Sequence, residues 1–333
     1  MFGKDPMRRR ASTARVALQP RLRWRYVTRG EIWASAAIDR AGNVYAASLG
    51  GDLVALSPRG ELLWSFTAEG PIWASPAVAD DGTVYFASVD THLYAVRAGR
   101  KLWRFKLDNC GFSSPLLTPN GTIVVGSSGR HVFALRASGE LGWAVRVGAQ
   151  VESSPTLLSN GDIVVGTRAG SLFRIDDAGH TRWSTAVPGP IASTPLVTHD
   201  DTVVFGGGDG VYGVRHGRVR WHLKTQSPVV TSPALSSDGT IVVGDQTGLV
   251  YGVSAEGKLR WSASLGGVAS SAAIAGDGRV LIAAADGRVR LLSPRGRVLW
   301  SFAADAPFAA SPAIGPNGQF VVGSRGGVLY AFR

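Results

Sequence analysis

The chain has little of what most catalytic or metal-binding chemistry uses. Among its 333 residues there is one cysteine, Cys110, with two methionines and six histidines. One cysteine excludes an internal disulfide framework and any all-thiolate zinc or iron–sulfur centre. The histidines, His92, His131, His180, His199, His216 and His222, have no HxxxH or HExxH spacing. Long apolar runs are also missing. Stretches such as Leu281 to Ala285 fall far short of the roughly 20 residues that span a bilayer, so no transmembrane segment is expected. No secretory h-region follows Arg8-Arg9-Arg10, because Arg15 breaks the stretch. The sequence as it stands therefore points to a cytoplasmic protein. A start placed further upstream would allow a periplasmic or envelope location instead.

Acidic residues are scarce, 24 against 35 lysines and arginines, for a net charge of +11. The excess is local. Residues 1–30 carry nine positive charges against Asp5 alone, leaving 26 and 23 in the remainder. A basic, disordered tail over residues 1–19 is expected, followed by one domain at 20–333 that is nearly neutral from residue 31 onward. Such a tail can contact a polyanion or anionic lipid, or simply remain solvated.

What the chain has in abundance is periodicity. Trp24, Trp64, Trp103, Trp143, Trp183, Trp221, Trp261 and Trp300 are spaced by 38–40 residues. A Ser/Thr marker keeps the same period at Ser35, Ser75, Ser114, Ser154, Thr194, Ser232, Ser271 and Ser311, usually followed by proline. A glycine stands four residues before each tryptophan from Gly60 to Gly296. Repeats of this length mean solenoids, propellers or arrays. Within one unit, Ser75–Ala79 ends in Asp80-Asp81-Gly82, a hairpin signal, followed by the β-branched and aromatic run Thr83–Ala87. His92–Val96 and the alternating Lys101–Lys106 complete four short strands. Eight such units predict an all-β, eight-bladed β-propeller with four antiparallel strands per blade. The last unit stops at its third strand, and Leu22–Tyr26 has no strands before it. The N-terminal strand is therefore expected to complete the last blade and close the ring, hiding sheet edges.

The unit resembles the pyrroloquinoline quinone (PQQ)-type repeat. The likeness rests on Ser75-Pro-Ala-Val-Ala-Asp-Asp-Gly-Thr-Val-Tyr-Phe, on His92-Leu-Tyr-Ala-Val, on Trp103, and on Asn120-Gly-Thr-Ile-Val-Val-Gly-Ser. It spans about residues 20–333. The resemblance implies an eight-bladed propeller and a family holding both quinoprotein dehydrogenases and non-enzymatic members such as BamB. Quinoprotein dehydrogenases typically carry a vicinal cysteine pair and many carry a Cys-x-x-Cys-His haem site. With Cys110 alone, this chain has neither.

One set of positions breaks the repeat. Two residues before each Ser/Thr marker, at the mouth of the central channel, stand Trp33, Trp73, Phe112, Glu152, Ala192, Val230, Ala269 and Ala309. Loops between second and third strands should open on the same face, bringing Asp90, Arg130, Arg168 and Asp245. The aromatic group either plugs the channel or forms a recognition patch for a protein partner or small ligand. No catalytic or metal-binding residue is assigned. The sequence reads as a monomeric, non-catalytic scaffold or ligand-binding module, in the manner of BamB-like envelope assembly, with no cofactor. The alternative is a minimal quinoprotein oxidoreductase using PQQ with calcium.

Overall fold

Eight four-stranded antiparallel sheets form the chain, and the described residues contain no helix. The computed structural model describes Met7, residues 10–267 and residues 270–333. Blade one shows the plan, with an inner strand Ala37–Ile38, a second Val44–Ala47, a third Asp52–Leu56 and an outer Leu62–Thr67. The second and third strands are covered on both faces, which is why they read as continuous apolar runs. Outer strands alternate, half-buried inward and exposed outward, because only one face packs.

The eighth blade is built from both ends of the chain. Its outer strand Leu22–Val27 pairs antiparallel with Val328–Phe332. Arg21 and Arg333 exchange backbone hydrogen bonds at 2.9 and 3.0 Å. Leu22, Trp24 and Tyr26 turn inward while Arg23 and Arg25 face solvent, as the alternation predicts.

The core lies between blades. Eight apolar clusters are each shared by two neighbours, such as Tyr45 and Leu53 of blade one with Phe86 and Tyr94 of blade two. The repeated tryptophan and glycine form one contact across seven of the eight seams. Gly139 adopts φ +90°, and a Cβ there would stand 2.7 Å from the ring of Trp103 in the preceding blade. Gly60 meets Trp24 and Gly257 meets Trp221 in the same way. The indole N–H of Trp103 then donates to Ala137 O in the same turn at 2.9 Å, as Trp24 does to Pro58 and Trp143 to Asp177. Blade eight has no such turn, since the chain ends meet there. Trp300 accordingly packs edge-on against Phe320 and Phe332 instead, which explains why the glycine marker occurs seven times and the tryptophan eight.

Two further features follow the repeat. Register shifts just before every tryptophan, for example between Ala55 and Leu56 opposite Leu62 and Trp64. Such a bulge increases local twist and aims the indole at the next blade. The Ser/Thr markers form a ring around the channel. Ser35 N–H donates to Ser75 Oγ at 2.9 Å, Ser75 to Ser114, and Ser114 to Ser154, and Ser311 returns to Ser35 at 3.1 Å. Six of the eight hydroxyls thus satisfy a backbone donor of the preceding blade that no strand pairs.

The tail expected to be disordered over 1–19 is in part docked. Residues 1–6, 8 and 9, including Lys4, Arg8 and Arg9, lie outside the described residues. From Arg10 the chain lies against blade seven. Ser12 N–H donates to Ile274 O at 2.8 Å, Ile274 N–H donates to Arg10 O at 3.0 Å, and Val16 is buried. Small residues between the arginines let backbone approach backbone here, which a count of charges does not reveal.

A paired substitution tests the seam. Gly121 and Gly139 both have positive φ, but nothing lies within 4 Å of a Cβ on Gly121. Gly121→Ala should cost roughly 1–2 kcal/mol for the left-handed backbone. Gly139→Ala should cost a further ~1–3 kcal/mol by overpacking, and that excess should vanish in a Trp103→Ala background. Trp103→Ala alone should cost about 3–5 kcal/mol. Denaturant unfolding measures all four.

Candidate functional site: the aromatic rim of the channel

Antiparallel pairing puts the second-to-third-strand turns and the outer-to-inner connections at one end of the ring. Backbone bonds tie each turn to the connection beside it. Leu49 N–H donates to Glu31 O at 2.8 Å, Val89 to Pro71 at 3.0 Å, Arg168 to Gln150 at 3.0 Å and Arg325 to Pro307 at 2.8 Å. The preceding side chains, Ile32, Ile72 and Val151, are fully buried. The rim residues therefore project from anchored backbone.

Trp33, Trp73 and Phe112 come together on this rim, as expected. The Trp33 and Trp73 rings lie 4.9 Å apart at 44°, and Phe112 meets Trp73 edge-on at 5.9 Å. All three are half-buried. Ala192, Val230 and Ala309 hold the equivalent places further round, and Ala269 lies outside the described residues. The aromatic side is extended by two residues. Arg325 of blade eight lies over the Trp33 ring at 4.8 Å. Glu31 accepts the Trp33 indole N–H at 2.7 Å and pairs with Arg325 at 3.2 Å. Glu31 is the residue that sequence reasoning missed; its only signal was a carboxylate two places before Trp33.

Glu152 and Arg168, both expected here, pair with each other at 2.8 Å in blade four. Arg130 is exposed at the tip of a left-handed turn, φ 78°. The two expected aspartates are differently placed. Asp245 has no accessible surface, and it accepts bonds from Tyr251 Oη at 2.8 Å, Thr247 Oγ1 at 2.6 Å and the Thr247 and Leu249 amides. Asp90 is held by Tyr94 Oη at 2.7 Å and the His92 amide at 3.0 Å. Burial first and the bond to Asp90 second push the Tyr94 hydroxyl up to about 12. These carboxylates fasten their own turns to a tyrosine of the third strand and stand apart from the aromatic group. Cys110 is half-buried, with its Sγ 3.4 Å from Val89 O.

The donor set at this mouth does not suit a calcium-bound quinone. Among the described residues no three His, Cys, Asp or Glu side chains gather as metal ligands, and Asp90 and Asp245 already have hydrogen-bond donors. The arrangement can offer apolar ring surface bordered by one guanidinium and one carboxylate.

Fold and rim define a repeat propeller of the quinoprotein-like kind. The profile of the family described as "Outer membrane protein assembly factor BamB" matches residues 13–109, 92–228 and 136–280, and the chain belongs to this family. A lambda-carrageenase β-propeller domain profile matches residues 240–328. Among solved structures, BamB from Moraxella catarrhalis superposes with a TM-score of 0.81 at 16% identity, covering 94% of this chain and 99% of that one. The computationally designed Ika8 protein gives 0.80 at 17% identity, covering 92% and 97%. These likenesses speak to the fold. A search of curated protein sequences returns no match. No helix among the described residues is long and apolar enough to cross a membrane.

The Glu31 carboxyl sits below the ordinary glutamate range, held there by the Trp33 indole N–H first and Arg325 second. A lowered folded value means that the contact is complete above the unfolded pKa of about 4.3 and is lost as pH falls through the folded value. The Trp33 indole proton resonance should therefore titrate with a midpoint below about 4.3. In Glu31→Gln that titration should be absent, and a midpoint above the ordinary value would contradict the assignment.

Proposed function

We propose that the chain is a non-catalytic scaffold whose aromatic rim docks a polypeptide partner. The observation that carries this reading is the continuous run Arg325, Trp33, Trp73, Phe112, where large side chains depart from the eightfold repeat. Half-exposed aromatics beside an arginine are the composition of interface hot spots. The ladder occupies blades eight to three, and Glu152 with Arg168 marks where it ends. The partner that fits is an extended segment presenting apolar side chains, with charges of both signs at its edges. The matched family's description as an outer membrane assembly factor supports placing that partner within envelope assembly, and hence placing the chain in the periplasm.

The test uses the full chain. Trp33→Ala combined with Trp73→Ala removes half-exposed side chains and should leave the melting temperature within a few degrees of the parent. Affinity for the captured partner in an envelope extract should fall about thirtyfold, since hot-spot truncation costs about 2 kcal/mol or more. Unchanged affinity would remove the rim from the function. The same protein incubated with PQQ and Ca²⁺ should retain no quinone absorbance after gel filtration. Retained absorbance would favour the oxidoreductase alternative.

A further inference from the structure

The end of the channel opposite the aromatic rim carries a second feature that the repeat does not supply. Residues 10–12 lie parallel to the inner strand of blade seven, Ala273–Ile274, with Ala11 bridged to Ile274. Besides the two backbone bonds at Ile274, Arg10 Nε donates to Ala272 O at 2.7 Å and Gly276 N–H donates to Ala14 O at 2.8 Å. Further along, Arg279 donates to Val16 O at 2.5 Å. The segment thus behaves as a fifth, innermost strand.

Blade seven departs from its siblings where this segment lies. Six blades carry proline after the Ser/Thr marker, whereas blade one carries Ala36 and blade seven Ala272, so the position specific to blade seven lies further on, in the first hairpin. At the start of the first hairpin the other blades have a polar residue or proline, such as Arg40, Asp80 or Pro119, and blade seven has Gly276. Gly276 is not in the left-handed region, so backbone conformation does not require glycine there. A Cβ on Gly276 would stand 2.2 Å from Thr13 O. The glycine is explained by the passing strand. Beside the segment is a cavity of about 560 Å³ bordered by Arg10 and Ser12 of the segment and by Asp39, Arg40 and Asp80 of blades one and two. A second hold lies at blade five, where Val197 N–H donates to Met7 O at 3.1 Å and Met7 packs on the Leu158 and Ile191 cluster.

We propose that the inner edge of blade seven is a strand-accepting peptide site. It is filled in cis by Arg10–Val16 and exchanges that segment for an extended peptide in which an arginine precedes small residues. Main-chain bonds to Ile274 and Gly276 supply affinity, as in other strand additions. The Ala272 and Ser271 carbonyls select the guanidinium, with Arg10 Nη2 3.4 Å from Ser271 O, and Gly276 admits only a close-lying backbone. The short link from Val16 to the closing strand sets a local concentration on the order of millimolar, so the resident segment outcompetes dilute peptides.

The test adds a fluorescent synthetic peptide of residues 7–17 to three full-length proteins and reads anisotropy. The wild-type chain should bind it only near millimolar levels. Arg10→Ala with Ser12→Pro removes the guanidinium and the Ser12 donor from the resident segment, and should bind the peptide about tenfold or more tighter. Adding Gly276→Val should abolish that gain. Equal binding by all three proteins, or a gain that survives Gly276→Val, would overturn the proposal. Hydrogen exchange gives an independent reading. In the opened protein the Ile274 and Gly276 amides should exchange about tenfold faster, with Val280 of the neighbouring strand unchanged. Unchanged exchange at Ile274 would refute the proposal. So would a loss of protection that includes Val280, because the segment would then be part of the fold and not an exchangeable ligand.

Discussion

An indole lying on a left-handed glycine of the next blade is the contact on which the ring depends. Every cluster of the core is split between two blades, so a single blade has no interior of its own. The seam must therefore be specified separately at each junction. A bulge aims the tryptophan, a glycine without Cβ makes room, and the indole N–H is satisfied by a carbonyl of the same turn in three seams. Ser/Thr hydroxyls repeat the logic on the channel side by capping a donor of the neighbouring blade. Together they hold each blade from its outer and inner margins at once, which leaves the turns between second and third strands free to vary.

That freedom accounts for what the sequence reveals and what it hides. Tryptophan, glycine and Ser/Thr markers are set by the seam, so their period exposes blade number, strand count and ring closure. Side chains at the mouth are under no such constraint, and identical letters there play different parts. Asp90 and Asp245 look like an acidic rim in the sequence, yet each is consumed by a tyrosine four or six residues on. Glu31 was invisible because Arg325, its partner, stands 294 residues away. Trp33, Trp73 and Phe112 were legible because they break a pattern that blades five, six and eight obey with small residues.

Electrostatics divides along the same line. Acidic side chains such as Asp39, Asp176 and Asp245 are used as turn acceptors. Arginines stand on the outward positions of outer strands, as Arg23 and Arg25 do. Where Asp176 caps the third-to-outer turn of blade four, Ser57, Ser254 and Ser293 accept the equivalent amides elsewhere. Serine in those three blades and arginine at 97, 136 and 215 in three more leave Asp176 as the carboxylate at this turn position. The outer wall of the ring is thus basic.

Closure by Leu22–Val27 has a consequence in time. The first strand of the ring to be synthesised can pair only with the last, and Thr28 bonds to Gly327 across 299 positions. At about 5–20 residues per second, that strand waits roughly 15–60 s for its partner. Throughout that interval the edge of the waiting strand is open. The three arginines at 21, 23 and 25 are then the main protection of the waiting edge, since like charges oppose pairing between two nascent copies.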